Sequence, residues 1–168
     1  MPVAQSPPVF AAQLRLPSPE EKAGFARWLA PRMRPGNVLL LDGPIGAGKT
    51  HFARALIQHL LVAAGCPEDV PSPSFTLVQT YHAAALEILH ADLYRLTGPH
   101  DVTELGLTDA FATALCLVEW PDRLGALTPP GALHLRFTVQ AGDCRHLELS
   151  AQSPRWKAVI ADAADHDA

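Results

Sequence analysis

The chain has 168 residues, a formal net charge of −4, 48% hydrophobic residues and 18% charged residues. That length and balance suit one globular domain with a buried core, with no apolar run long enough to span a bilayer and no charged-then-apolar leader. The acidic balance argues against a surface that grips nucleic acid, because such surfaces carry clustered Lys and Arg, and the densest basic cluster, Arg27, Arg32 and Arg34, reads as a solvated helix end. Cys66, Cys116 and Cys144 have no paired spacing. They predict a reducing, cytoplasmic setting with neither a disulfide framework nor a zinc site.

In chain order, residues 1–17 are rich in Pro and Ala and are expected to be loose. A domain is expected over 18–160. Ser18-Pro19-Glu20-Glu21 opens a helix, with Ser18 as cap, Pro19 in the first turn and Glu21 completing a capping box. Phe25, Trp28 and Leu29 give that helix an apolar side, and Pro35-Gly36 ends it. Val38-Leu39-Leu40-Leu41 reads as a buried strand. Phe52, Leu56 and Leu60, with Ile57 and Leu61 beside them, predict a helix with a broad apolar face. Residues 65–73 form a linker. Residues 75–81 and 85–92 read as two strands, joined closely enough to be antiparallel. Thr108-Asp109 opens a short helix containing Phe111, and residues 115–119 form another buried strand. Residues 133–139 and 147–150 predict a hairpin with Gly142-Asp143 in its turn. Ser153-Pro154 starts a last helix with Trp156 and Val159, and the tail over 161–168 is expected to fray. The total is a single-domain α/β fold, a mixed sheet flanked by helices.

Between the first strand and the second helix lies Gly43-Pro44-Ile45-Gly46-Ala47-Gly48-Lys49-Thr50. It fits the phosphate-binding P-loop: a Gly, four free positions, then Gly-Lys-Thr. Glycines allow turns in which consecutive N–H groups point at phosphate oxygens, and the following helix start offers N–H groups without intrahelical partners. Lys49 supplies a point charge for the outer phosphates and Thr50 a hydroxyl for Mg²⁺. A strand before and a helix after are the setting this motif requires, so a nucleotide with Mg²⁺ is the expected ligand.

Nucleotide hydrolysis also needs an acid near the metal and a segment that senses the γ-phosphate. Asp92 and Glu119 each end an apolar strand, where α/β proteins place ligands. Ser72-Pro73-Ser74-Phe75-Thr76 is a stiff polar loop suited to a switch. His90 shares a strand face with Asp92. Two residues are too few for a metal site, so His90 is expected to be packed or hydrogen-bonded. Trp120 is open between stacking on a ligand and packing.

These segments together resemble the TsaE (YjeE) family. The resemblance lies in 43–50, Ser72-Pro73-Ser74-Phe75-Thr76-Leu77-Val78, His90-Ala91-Asp92-Leu93-Tyr94-Arg95-Leu96, Glu104-Leu105-Gly106-Leu107 and Leu117-Val118-Glu119-Trp120-Pro121. It covers about residues 17–150. It implies a P-loop NTPase-like fold and an ATPase serving the threonylcarbamoyladenosine modification of tRNA. The implied partners are TsaD and TsaB, whose complex ATP hydrolysis resets, with tRNA engaged only indirectly. The resemblance implies that Thr50 and Glu119 bind Mg²⁺, that Asp92 is the Walker B-like acid of one switch, and that 72–76 form the other.

The expected sets are therefore Lys49, Asp92 and Glu119 for catalysis, and Thr50, Glu119 and Asp92 for Mg²⁺. For ATP they are Gly43, Ile45, Gly46, Ala47, Gly48, Lys49, Thr50, His51, Ser74, Trp120 and Arg145. Three positions depart from the family pattern: Ser74 and Lys22 stand where Thr is usual, and His51 where a second Thr is common. A small P-loop kinase and a non-hydrolysing nucleotide-gated adaptor are the alternatives. A signalling GTPase is disfavoured, because the single Asn, Asn37, precedes the loop and no Asn-Lys-x-Asp segment exists.

Overall fold

Strand β2, Val38–Asp42, centres the fold because its apolar run serves two cores at once. Leu39 and Leu41 join one buried cluster, while Val38 and Leu40 join the other, as the alternation of a strand covered on both faces requires. The computed structural model describes residues 9–166. In it, β2 pairs in parallel with β5, Leu115–Glu119, and with β6, Leu133–Val139. Strand β4, Leu86–Asp92, extends the parallel set on β5, and β3, Val78–Ala83, adds antiparallel to β4. At the other side β7, Arg145–Ala151, and β1, Phe10–Leu16, are antiparallel. The order is β1-β7-β6-β2-β5-β4-β3.

Helices α1, Pro19–Leu29, α2, Lys49–Ala63, and α5, Lys157–His166, cover one face through Phe25, Phe52, Leu56, Ile57 and Ile160. Short helices α3, Pro99–Glu104, and α4, Leu107–Ala110, cover the other with the 3-10 segment Pro121–Leu127, through Val102, Leu107 and Leu124. Ser18 caps α1 by accepting from the Glu21 N–H at 3.2 Å. Leu41 is fully buried, so Leu41→Ala is expected to cost about 2–5 kcal/mol, read as a lower urea midpoint at unchanged slope.

Several expectations need correction. The segment expected to be loose contains β1, whose full length pairs with β7; residues 1–8 lie outside the described residues. The tail does not fray at 161: α5 continues to His166, whose ring sits 5.2 Å from Trp28 and 5.7 Å from Phe25. The strand expected from 75 begins at Val78, because Leu77 has φ 68° and its N–H closes a turn onto the Pro73 carbonyl. The antiparallel β3–β4 pair is as expected.

The three cysteines are unpaired, Cys116 buried and Cys66 exposed. Burial pushes the Cys116 thiol up to about 12, so it stays protonated and unreactive near neutral pH. Iodoacetamide is expected to label Cys66 in the native protein and Cys116 only after unfolding, as mass mapping of the labelled peptides would read. Among the described residues, no helix is long and apolar enough to cross a membrane.

Candidate functional site

The site is built where β2 hands over to α2. Gly43 takes φ 149° and Gly48 φ 96°. A Cβ at Gly43 would come within 2.7 Å of the Phe137 carbonyl oxygen on β6, and one at Gly48 would overlap Lys22 Nζ. Both positions therefore combine a left-handed backbone with a neighbour occupying the side-chain space. The loop ends on α2, whose first N–H groups lack intrahelical acceptors and so can receive an anion.

Lys49 is the first residue of α2 and is nearly buried. Its amine donates to the Gly43 carbonyl and, at 3.1 Å, to the Pro44 carbonyl. The same atom lies 4.0 Å from the centre of the Trp120 ring. Desolvation holds its pKa below the usual lysine range, opposed by Glu119, Asp42, Asp92 and Asp122. The charge is thus folded back over the loop and braced on an aromatic face.

Glu119 ends β5 beside Asp92 at the end of β4, as their register pairs them. Both face α2, because they share strand parity with the core residues Ile88, Leu115 and Leu117. Thr50 Oγ1 donates to Glu119 Oε1 at 2.7 Å, and His90 Nε2 donates to Glu119 Oε2 at 2.7 Å. Asp92 Oδ1 accepts from the Tyr94 N–H at 3.0 Å, and Oδ2 from Ser74 Oγ at 3.4 Å. The 72–77 loop is further tied to β4 by the Asp92 N–H donating to the Leu77 carbonyl.

A cleft of about 480 Å³ opens over these groups, within the range of ligand sites. Its lining includes Ile45, Gly46, Ala47, Gly48, Lys49, Thr50, His51, Ser74, Asp92, Glu119 and Trp120. Two expected residues stand outside that lining. Gly43 packs on Phe137. Arg145 braces the loop, donating to the Gly46 carbonyl at 3.1 Å. His51 Nε2 donates to the Pro19 carbonyl, tying α2 to α1. Trp120, in the left-handed region at φ 58°, both packs on Tyr94 and faces the cleft.

Sequence reasoning gave no role to Tyr94 and Arg95, which also line the cleft, and took Phe75 only as part of the 72–76 switch loop. Arg95 donates to the Phe75 carbonyl at 2.8 Å and fixes the loop. Lys22 is buried against Gly48, and desolvation, helped by Arg145, lowers its pKa. The sequence marked Lys22 only as a departure from the family pattern; its place 26 residues before Gly48 did not announce that contact.

The donor set fits a phosphorylated ligand with a hard divalent cation. Backbone N–H groups and an amine suit phosphate, and a hydroxyl with a carboxylate suits Mg²⁺. Among the described residues no three His, Cys, Asp or Glu side chains form a metal cluster. A cation held by Thr50 and Glu119 would therefore complete its shell with ligand phosphates and water.

A family profile described as "Threonylcarbamoyl adenosine biosynthesis protein TsaE" matches residues 16–147. The tRNA threonylcarbamoyladenosine biosynthesis protein TsaE of Rickettsia bellii is 37% identical over 134 residues, covering 80% of this chain and 91% of that protein. The protein of the same description from Bacillus subtilis is 31% identical over 154 residues, covering 91% and 94%. The crystal structure of Bacillus subtilis YdiB superposes with a TM-score of 0.77 at 28% identity, over 97% of this chain and all (100%) of that one. A glycine-rich loop at a helix start, two strand-end acids and the 72–77 loop thus meet in one cleft on a matching fold, and the chain belongs to the TsaE family of tRNA threonylcarbamoyladenosine biosynthesis proteins.

Proposed function

We propose that this chain is the ATP-binding and ATP-hydrolysing subunit of that modification system, acting in the cytoplasm to reset a TsaB–TsaD complex between turnovers. The observation that carries the reading is the 2.7 Å hydrogen bond from Thr50 to Glu119. It joins the start of the P-loop helix to a strand-end acid, which is the arrangement that holds Mg²⁺ on a nucleoside triphosphate.

The loop N–H groups and Lys49 hold the phosphates and concentrate positive charge where negative charge builds as the γ-phosphoryl group passes to water and ADP departs. Thr50 and Glu119 hold Mg²⁺, which when bound withdraws charge from the phosphate oxygens. Both Glu119 oxygens already have partners, Thr50 and His90, so Glu119 is assigned to the metal side. Asp92, partnered with the 72–77 loop, is assigned to orienting the attacking water and coupling it to that loop. Ile45, Phe75 and Tyr94 expose apolar surface at the cleft mouth, 74%, 88% and 48% of each residue. Such a rim suits closure by a protein partner rather than by tRNA.

Calorimetric titration of Mg²⁺–ATP and Mg²⁺–GTP into the purified chain tests this reading. Saturable ATP binding that GTP competes for poorly is expected; absence of ATP binding at millimolar concentration would sink it.

A further inference from the structure

His90 is fully buried, yet it is not an apolar space-filler. Its Nε2 meets Glu119 Oε2 at 2.7 Å, while its Nδ1 has no hydrogen-bond partner among the described residues. An ionised carboxylate only accepts, so Nε2 carries the shared proton. The ring thus keeps one buried polar atom unsatisfied, at a cost to stability, and its one polar contact among the described residues is with Glu119. Glu119 is held at both oxygens: Oε1 faces Thr50 at the loop, and Oε2 is taken by His90 on the neighbouring strand.

We propose that His90 is a positioning residue that fixes the Glu119 carboxylate so that Oε1 alone is presented to the cation shared with Thr50. The proposal rests on the Mg²⁺–ATP reading above and adds a residue to it. His90 touches neither nucleotide nor cation. It removes the rotational freedom of the carboxylate and occupies the oxygen that would otherwise compete for the ion. Partners of this kind behind a metal ligand set its orientation, and losing one typically weakens metal binding roughly ten- to hundredfold.

The test uses binding rather than turnover. A β,γ-imido ATP analogue is titrated into wild-type protein, His90→Leu and His90→Gln, first with EDTA and then at stepped Mg²⁺ concentrations. His90→Leu is expected to need roughly tenfold more Mg²⁺ for half-maximal effect, with its EDTA affinity unchanged. His90→Gln, whose side-chain amide reaches the Nε2 position, is expected to stay near wild type. Wild-type Mg²⁺ dependence in His90→Leu, or an equal loss of affinity with and without Mg²⁺, overturns the proposal. If His90→Leu does not fold, His90→Asn replaces it, because its shorter amide cannot reach Oε2; equal Mg²⁺ dependence of the Asn and Gln variants then overturns the assignment. If wild-type protein itself binds the analogue without any Mg²⁺ effect, the underlying Mg²⁺–ATP reading fails, which is distinct from failure of the His90 role alone.

Discussion

Lys49→Ala is expected to weaken Mg²⁺–ATP binding roughly a hundredfold, corresponding to about 3 kcal/mol. The amine is nearly buried and sits over the loop, hydrogen-bonded to the Gly43 and Pro44 carbonyls and faced by Trp120. Truncation removes a desolvated point charge; of the other cations nearby, Arg95 is engaged by the Phe75 carbonyl, and Arg145 and Lys22 stand outside the cleft lining. The fold should survive, because α2 keeps its buried face of Phe52, Ala53, Leu56, Ile57 and Leu61. Calorimetry alongside a thermal melt separates the two effects. An affinity loss of less than about threefold (under ~0.7 kcal/mol) would place the phosphates away from this loop.

Asp92→Asn is expected to leave ATP affinity within a fewfold of wild type and to lower turnover roughly a hundredfold or more. The substitution preserves shape. The amide oxygen can still accept from the Tyr94 N–H, and the amide nitrogen can donate to Ser74 Oγ where Oδ2 now accepts. What disappears is the negative charge at the end of β4, beside Glu119 in the sheet register. Single-turnover measurement at saturating ATP reads the chemical step directly. Undiminished turnover would show that Asp92 organises the 72–77 loop without taking part in hydrolysis.

The centre of the fold was legible because its signals are local. The Val38–Leu41 run, the Gly43–Thr50 spacing and the helical period of Phe52, Leu56 and Leu60 each lie within one element. Asp92 and Glu119 were legible for the same reason, as acids closing apolar strands. Strand β1 was hidden because its alternation includes only Ala12, Leu14 and Leu16 as buried positions, after a Pro-rich start. Its stability comes from β7, more than a hundred residues away in sequence. Helix α3 was missed because Pro99–Glu104 carries a single buried residue, Val102, too few to show a period. The Ala- and Asp-rich end of α5 is held by the buried Ala163 and by the tilted ring contacts of His166 with Phe25 and Trp28, all tertiary contacts that the composition does not announce. His90 was legible as a packed or hydrogen-bonded residue, but its partner Glu119 stands on the neighbouring strand and leaves no mark in the sequence around it.

Phosphate release from ATP, followed with this chain alone and with TsaB and TsaD added, bears on the whole reading at once. Slow release alone, acceleration by the partner pair, and loss of that acceleration in Lys49→Ala are the expected results. Absence of ATP hydrolysis under both conditions, or acceleration that survives Lys49→Ala, would contradict an ATP-driven subunit built on residues 43–50.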